Sequence, residues 1–334
     1  MLGLIVRRLI QLPLILLVIY TLTLSLAWAI PGNPLESTER NLDREVAAAM
    51  QAQYNLDSFW SFYGSYLAGA TGLSHARLVA SGEVARRIEA ANAAGVAPPS
   101  FRVFNLGPSL QYRDRSVNEI VSQSLPVSIT IGATAILIAL TLGVFAGVIG
   151  AWRPNGVADF ATLTVALVGI SLPSFVIGTV LILVFGLWLG LFPIGGWGQI
   201  ANLALPSFTL SLPFAAYIAR LTRMGMLENL SADYIRTARA KGVSERGVLL
   251  RHALKNAFLP VLSYLGPACA LAMTGSFVVE RVFSVPGMGQ HFVNAVQNKD
   301  LFLLIGVVMV FATMLILLNL AVDVLYRWVD PRIQ

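Results

Sequence analysis

The segment 234–260 decides what this chain can fold into. It sets Arg236, Arg239, Lys241, Arg246, Arg251, His252 and Lys255 between apolar runs long enough to cross a bilayer. Each Lys or Arg at the bilayer centre costs about 2.5–3.5 kcal/mol, so the segment must stay outside while its neighbours pass through. The residues also spell a local structure. Ser231 stands where it can cap a first helix, Asp233 suits that helix's positive end, and Arg239 and Lys241 suit its negative end. Gly242 can take the left-handed conformation that stops the helix. Ser244 can cap a second helix that runs through Val248, Leu249 and Leu250 to Pro260. The expectation is two short helices with a glycine corner, lying on the cytoplasmic membrane face.

Composition agrees. The 334 residues are 56% hydrophobic and 12% charged, about half the charged share of a soluble domain, which marks an integral membrane protein. Cys269 is the single cysteine, so an intramolecular disulfide and a multi-cysteine metal site are both excluded, and it reads as a packing residue. The net charge of +6 does not call for nucleic acid. With the spans assigned below, the cytoplasmic segments hold 13 of the 23 Lys and Arg but 6 of the 17 acidic residues, which is the positive-inside pattern.

The reading is an all-α integral membrane protein with six transmembrane helices. Arg7 and Arg8 precede an apolar run from 9 to 30, long enough for the roughly 20 residues of a spanning helix. Ala27-Trp28-Ala29 is similar to a signal-peptidase site, but the run exceeds the usual signal core of about 7–15 residues, so residues 1–30 are expected to be retained as the first span. Residues 31–123 form the one sizeable outer region. There, 42–56 suits an amphipathic helix, Phe59, Trp60, Phe62, Tyr63, Tyr66 and Leu67 form an aromatic stripe suited to an anchor or small core, and 83–94 is Ala-rich and helical until Pro98-Pro99.

Residues 124–326 hold five further spans. The second, 124–151, carries Gly143 and Gly147 at a spacing that permits close helix contact. The third, 160–192, has 33 residues and Pro173 inside it, so a tilted or broken helix is expected. The fourth, 203–219, ends at Arg220 and Arg223 and leads into the basic loop, 228–258. The fifth is 261–279, and the sixth, 301–322, leaves Asp323, Arg327 and Arg332 at or beyond the inner face. Residues 327–334 form a cytoplasmic tail, and both termini lie inside.

Several stretches carry a resemblance. Arg236-Thr237-Ala238-Arg239-Ala240-Lys241-Gly242, then Arg251-His252-Ala253-Leu254 and Leu259-Pro260, resemble the cytoplasmic loop of permease subunits of ABC importers, in the branch that imports di- and oligopeptides. Arg236 and Thr237 stand where the general signature has Glu-Ala, and seventeen residues separate Gly242 from Pro260; both features are similar to the peptide-importer version. Asn105-Leu106-Gly107-Pro108-Ser109 with Tyr112-Arg113-Asp114-Arg115-Ser116-Val117, and the run from Glu280 to Gly289, are similar to further segments of that branch, the B-type subunit. Residues 74–102 read as an insertion relative to shorter members. That outer region is expected to help receive a solute-binding protein or to cover the outer mouth of the pathway.

The resemblance implies a permease that works by alternating access in a bacterial inner membrane. Its implied partners are a second related permease chain, one or two ATP-binding subunits, a periplasmic or lipid-anchored peptide-binding protein, and the bilayer; ATP and Mg belong on the ATPase subunits, with no cofactor in this chain. It implies an ATPase-coupling surface at Tyr234, Arg236, Thr237, Ala238, Arg239, Ala240, Lys241, Gly242, Arg251 and His252. It also implies an outer gate at Glu280, Phe283, Pro286, Gly287 and Gly289, with Glu280 and Arg281 expected to pair. Alternatives that stay open are related importers of nickel or glutathione, a juxtamembrane loop held by anionic lipid, a membrane scaffold, and an ion-driven carrier.

The residues themselves weaken the last of these. Between their ends the five later spans hold no Asp, Glu, Lys, Arg or His, although an ion-coupled carrier usually needs an intramembrane ionisable group. A phosphate-binding G-x-x-x-x-G-K-[ST] loop is missing too, and His75, His252 and His291 are scattered, so neither a catalytic nor a metal site is expected. His252 is expected either to face the ATPase or to cap the second loop helix. For the pathway, Ser171, Pro173 and Ser174 mark a polar, kinked patch, Ser207, Thr209 and Ser211 a polar row, and Asn319 a lone amide; each is compatible with plain helix-to-helix hydrogen bonding as well.

Overall fold

The computed structural model describes residues 2–30, 44–93, 102–112 and 115–329, and almost all of these are helical. Helix α1 (Leu2–Ala29) carries the first apolar run, followed by α2 (Arg44–Gln53), α3 (Phe59–Ala70), α4 (Leu73–Ala80) and α5 (Glu83–Ala93). Next come α6 (Val117–Trp152), α7 (Val157–Ser171), α8 (Ser174–Leu181) with a π-helical stretch (Ile182–Trp188), and α9 (Ala201–Leu230). The basic loop contains α10 (Asp233–Ala240), α11 (Glu245–Gly247), a π turn (Val248–Ala253) and α12 (Leu254–Ala257). The chain continues through α13 (Leu259–Met273), α14 (Phe277–Val282), α15 (Met288–Gln297) and α16 (Leu301–Val329). The expected helices over 42–56 and 83–94 appear as α2 and α5; Leu42, Ala94, Pro98, Pro99, Arg113, Asp114 and Arg332 lie outside the described residues.

Among the described residues, five stretches are long and apolar enough to cross a membrane: Ile5–Ala29, Val117–Trp152, Ala201–Leu230, Leu259–Val282 and Leu301–Leu325. Val157–Ser171 and Ser174–Trp188 are apolar enough only as a pair and are bent by 107° at the break between them, the geometry of a broken span or a re-entrant loop, so the count is six where that pair is taken as one span. Pro173 causes that break. The residue before a proline is driven out of the α region, and Leu172 adopts φ −86°, ψ 132°, so the helix has to stop at Ser171.

One compact unit comprises residues 1–14, 124–290 and 311–334. Within it α6 and α9 touch almost backbone to backbone. A Cβ on Gly147 would lie 2.5 Å from Thr222 Cβ and 2.6 Å from the Ala219 carbonyl, and one on Gly143 would lie 2.7 Å from the Ala215 carbonyl. Gly132 does the same for α13, 2.4 Å from the Ala272 carbonyl. Arg8 and Asp323 pair at 2.8 Å between α1 and α16. Asp159, 2% exposed at the start of α7, accepts two bonds from Arg223 of α9, Nε to Oδ1 at 2.5 Å and an Nη to Oδ2 at 2.6 Å, with the Asn155 amide at 2.9 Å. Spans free of ionisable groups are therefore too simple a picture. The helices run past their apolar cores, and Asp159 and Glu280 are both buried close to span ends.

The other unit comprises residues 15–123 and 291–310. Two of the six residues of the aromatic stripe, Phe62 and Tyr66, are buried in its core, while Trp60 is 75% exposed. Phe62 packs on Phe302 with ring centroids 5.2 Å apart, and Tyr66 stacks on Tyr20 at 5.6 Å. A buried carboxylate ties the 109–112 turn to α16. Asp300 Oδ2 accepts from Ser109 Oγ at 2.5 Å and the Gln111 amide at 3.1 Å, and Oδ1 accepts from the Leu303 amide at 3.0 Å. Burial pushes the Asp300 carboxyl above its ordinary range, against the pull of those donors.

Two predictions follow from this packing. Gly147→Ala should destabilise the detergent-solubilised protein by about 1–3 kcal/mol through overpacking, although alanine is the better helix former. Gly64→Ala, whose Cβ would meet nothing within 4 Å, should leave thermal stability unchanged or slightly raised. Arg223→Ala should cost about 1–3 kcal/mol by orphaning a buried carboxylate. Adding Asp159→Leu to Arg223→Leu should recover most of that in the same thermal unfolding measurement, because no charge is then left unpaired.

Candidate functional site

The basic loop is anchored by one apolar face. Ile235 and Ala238, three apart on α10, are buried with Val248, Leu249, Ala253 and Ala257 against Met226 of α9 and Ala151 of α6. The opposite face of α10 is left to the exposed Arg236, Thr237, Arg239 and Ala240, and Lys241, Gly242 and Arg251 are exposed as well. Of the ten residues expected at a coupling surface, Ala238 thus supports the loop from inside, and His252 is half-buried.

The expected caps are partly found. Ser231 does not cap α10: α9 continues to Leu230, and the Ser231 hydroxyl donates back to the Glu228 carbonyl at 2.7 Å. Ala232 takes the N-cap position without a side-chain bond. Asp233 stands in the first turn of α10 and Arg239 in the last, and Gly242 turns the corner at φ +78°, a conformation that favours glycine. Ser244 caps the second helix, its hydroxyl accepting from the Gly247 amide at 3.4 Å.

Polar contacts stiffen the assembly. The Tyr234 hydroxyl donates to Asn229 Oδ1 at 2.7 Å and accepts from Asn256 Nδ2 at 3.1 Å, joining α10 to both α9 and α12. Arg239 and Glu245 pair across the glycine corner at 2.9 Å. Arg236 meets Asp233 at 3.4 Å with side chains 75% and 96% exposed, a contact of little stabilising value. A Cβ on Gly225 would lie 2.8 Å from the Ala257 carbonyl, so α12 lies directly on α9. Asn229, Asn256 and Glu245 went unnoticed in the sequence; the Ile235 and Ala238 spacing was the available signal for the buried face.

A second polar site forms around Glu280, 2% exposed. Its Oε1 accepts from Ser128 Oγ of α6 at 2.7 Å and its Oε2 from the Gln290 amide at 3.2 Å. Ser128 Oγ accepts in turn from the Met288 amide at 2.8 Å. Gly287 makes room for the carboxylate, since a Cβ there would sit 2.3 Å from Glu280 Cδ; a Cβ on Gly289 would sit 3.0 Å from Oε2. The expected Glu280–Arg281 pair is not formed: adjacent residues on α14 point apart, and Arg281 is exposed. Phe283 is fully buried with Val127, Ile131, Leu205, Val279 and Val285, while Pro286 is exposed at the turn.

The pathway candidates separate. Ser171 and Pro173 are exposed at the break of the third span, with Ser174 half-buried. Ser207 and Ser211 are fully buried, donating to the Ile131 carbonyl at 3.4 Å and the Phe208 carbonyl at 2.7 Å. Both hydroxyls are used on backbone oxygens, that of Ser211 within α9 and that of Ser207 on α6. Thr209 likewise donates to the Leu205 carbonyl at 2.8 Å. Asn319 is half-buried, with Oδ1 3.0 Å from where a Cβ on Gly266 would stand.

Comparison with known proteins gives a consistent picture. Residues 118–334 match the family described as "Binding-protein-dependent transport system inner membrane component". The oligopeptide transport system permease protein OppB of Escherichia coli strain K12 is 39% identical over 337 aligned positions that cover all of both chains. The dipeptide transport system permease protein DppB of Bacillus subtilis strain 168 is 38% identical, covering 96% of this chain and 94% of the relative. The DppB of Lactococcus lactis subsp. cremoris strain MG1363 is 35% identical, covering 99% and 98%. With relatives matched from end to end and the membrane helices inside the matched region, this chain belongs to the family of binding-protein-dependent inner-membrane transport components.

Proposed function

We propose that the chain is one permease subunit of an ATP-driven importer that moves dipeptides or oligopeptides from a binding protein into the cytoplasm by alternating access. The observation that carries this reading is the end-to-end similarity to relatives named as oligopeptide and dipeptide permeases. A binding-protein-dependent family leaves a self-sufficient ion-driven carrier without support. In this reading the partners are a second, related permease, one or two ATP-binding chains that hold ATP and Mg, and a periplasmic or lipid-anchored peptide-binding protein. Both termini lie in the cytoplasm of a bacterial cell.

The basic loop is the element that meets the ATPase. Three features support the assignment: a cationic exposed face at Arg236, Arg239, Lys241 and Arg251, an apolar inner face, and direct contact of α12 with α9. A loop held this way moves with the spans instead of bending away from them. Gly242→Pro tests the role, since proline is fixed near φ −65° where the corner needs +78°. Purification in mild detergent should recover an ATP-binding chain with the wild type and lose it with the variant, at equal membrane insertion of both. Wild-type protein that stays alone and still transports would overturn the importer reading.

The hairpin from Glu280 to Gly289 is the proposed outer gate. Its polar attachment to α6 runs through Ser128, which both donates to Glu280 and accepts from Met288. Ser128→Ala should therefore leave a buried carboxylate and a buried amide short of partners, costing about 1–3 kcal/mol in the closed hairpin. Hydrogen–deuterium exchange over residues 286–290 should speed up by about tenfold or more, the equivalent of ~1.4 kcal/mol, and peptide uptake by the assembled transporter should fall. Unaltered exchange and uptake would remove the hairpin from the gate.

A further inference from the structure

The unit formed by residues 15–123 and 291–310 carries an open pocket of about 710 Å³, within the range of small-molecule sites, about 300–1,000 Å³. Its walls are built, not slack. The Asn105 amide donates to the Gly69 carbonyl at 3.0 Å, the Val117 amide to the Gly107 carbonyl at 2.9 Å, and the Ser109 amide to the Arg115 carbonyl at 3.0 Å. Asn118 Oδ1 accepts from the Leu106 amide at 2.9 Å. Gly107 has φ +85°, and a Cβ there would lie 2.2 Å from Phe302 Cδ1, so the floor closes only because that residue is glycine.

The lining has a definite chemistry. Arg102 reaches the cavity, but its guanidinium is spent on Glu119, at 2.5 Å, and on Ser116. Arg115 lines the cavity too and has no carboxylate partner among the described residues. Gln53 and Asn55, at the end of α2, add amide donors and acceptors. Tyr66, 4% exposed, lines the wall with a hydroxyl that has no hydrogen-bond partner among the described residues; a buried polar group left in that state is uncommon. Tyr54 and Phe302, with ring centroids 5.4 Å apart, add an apolar surface. A guanidinium with no carboxylate partner among the described residues, several amides and an aromatic wall suit a short polar chain that ends in a carboxylate. They do not suit a cation or a purely apolar ligand.

We propose that this cavity is a binding site for a short peptide, held through its free carboxylate by Arg115 and through its backbone amides by Gln53 and Asn55. The proposal rests on the peptide-import reading and extends it with a peptide site on the permease itself, outside the spans and independent of the binding protein.

The test uses the full-length chain in lipid nanodiscs, with neither ATPase nor binding protein, and trialanine as probe against its C-terminal amide. Calorimetry should show saturable binding of trialanine. It should weaken by about tenfold or more for the amide and for Arg115→Gln, as loss of a charge-assisted hydrogen bond implies. Ser65→Trp, at another lining position, should fill the cavity and abolish binding. Asn55→Asp, which keeps a residue that tolerates φ +56°, should weaken binding by charge repulsion even where the tryptophan variant folds poorly. Equal binding of the two probes, indifference to all three variants, or no saturation at millimolar peptide would overturn the site. Peptide uptake by the assembled wild-type transporter separates the two readings. Uptake without binding here rejects only the cavity proposal, while absent uptake with every partner present rejects the peptide reading itself.

Discussion

Everything in the 1–14, 124–290 and 311–334 unit depends on how closely α9 can approach its neighbours. In a bilayer, apolar side chains gain little by leaving lipid for protein, so helices associate through tight packing and a few polar contacts. Gly143 and Gly147 let α6 reach the α9 backbone, and Gly225 lets α12 reach it from the loop. On a third side, Arg223 of α9 holds Asp159 of α7 with two hydrogen bonds. The same helix runs without a break through Pro206 and Pro213 into the basic loop. A displacement of α9 along its axis is therefore felt at α6, α7 and α12 together, because none of these contacts has slack.

Where helices do not meet through glycine, buried carboxylates organise the irregular backbone. Glu280 gathers Ser128, the Gln290 amide and, through Ser128, the Met288 amide, so two amides of the 283–290 turn find acceptors beside the buried Phe283 and Val285. In the other unit Asp300 caps α16 and fixes the 109–112 turn. The logic is the same in each: one side chain accepts from several amides that no helix serves. The glycines around Glu280 keep space for its carboxylate, since a Cβ at Gly287 would occupy that space.

Much of this was legible in the residues, and what escaped has a common cause. The break at Pro173, the corner at Gly242, the Ser244 cap and the packing role of Gly143 and Gly147 are local properties of the chain, set by φ, by a missing Cβ or by the residue before a proline. Ser231 misled because a serine beside Asp233 reads as an N-cap, whereas α9 runs on far enough to claim it as its own end. The Glu280–Arg281 pair failed for a different reason. The partner of Glu280 is Ser128, 152 positions earlier, and no local pattern signals such a contact. Ser207 and Ser211 read as a polar row, and because a hydroxyl in a helix can donate to a backbone carbonyl or face a path, periodicity does not distinguish the two uses. The cavity between Gln53 and Phe302 was invisible because its walls come from four separate stretches of chain.

The loop shows how these contacts suit the proposed coupling role. A cationic helix resting on lipid needs only its charge, yet α10 also buries Ile235 and Ala238 and is clamped through Tyr234 to helices on both sides. Burial of Ile235 and bonding of Tyr234 do nothing for lipid attraction. They do prevent α10 from rolling when something pushes on Arg236, Arg239 or Lys241. With α12 touching α9 at Gly225, the push has no soft element to deform before it reaches the spans. In the proposed coupling role, surface charge selects where a partner meets this chain, and the buried side of the same short helix carries that contact to α9.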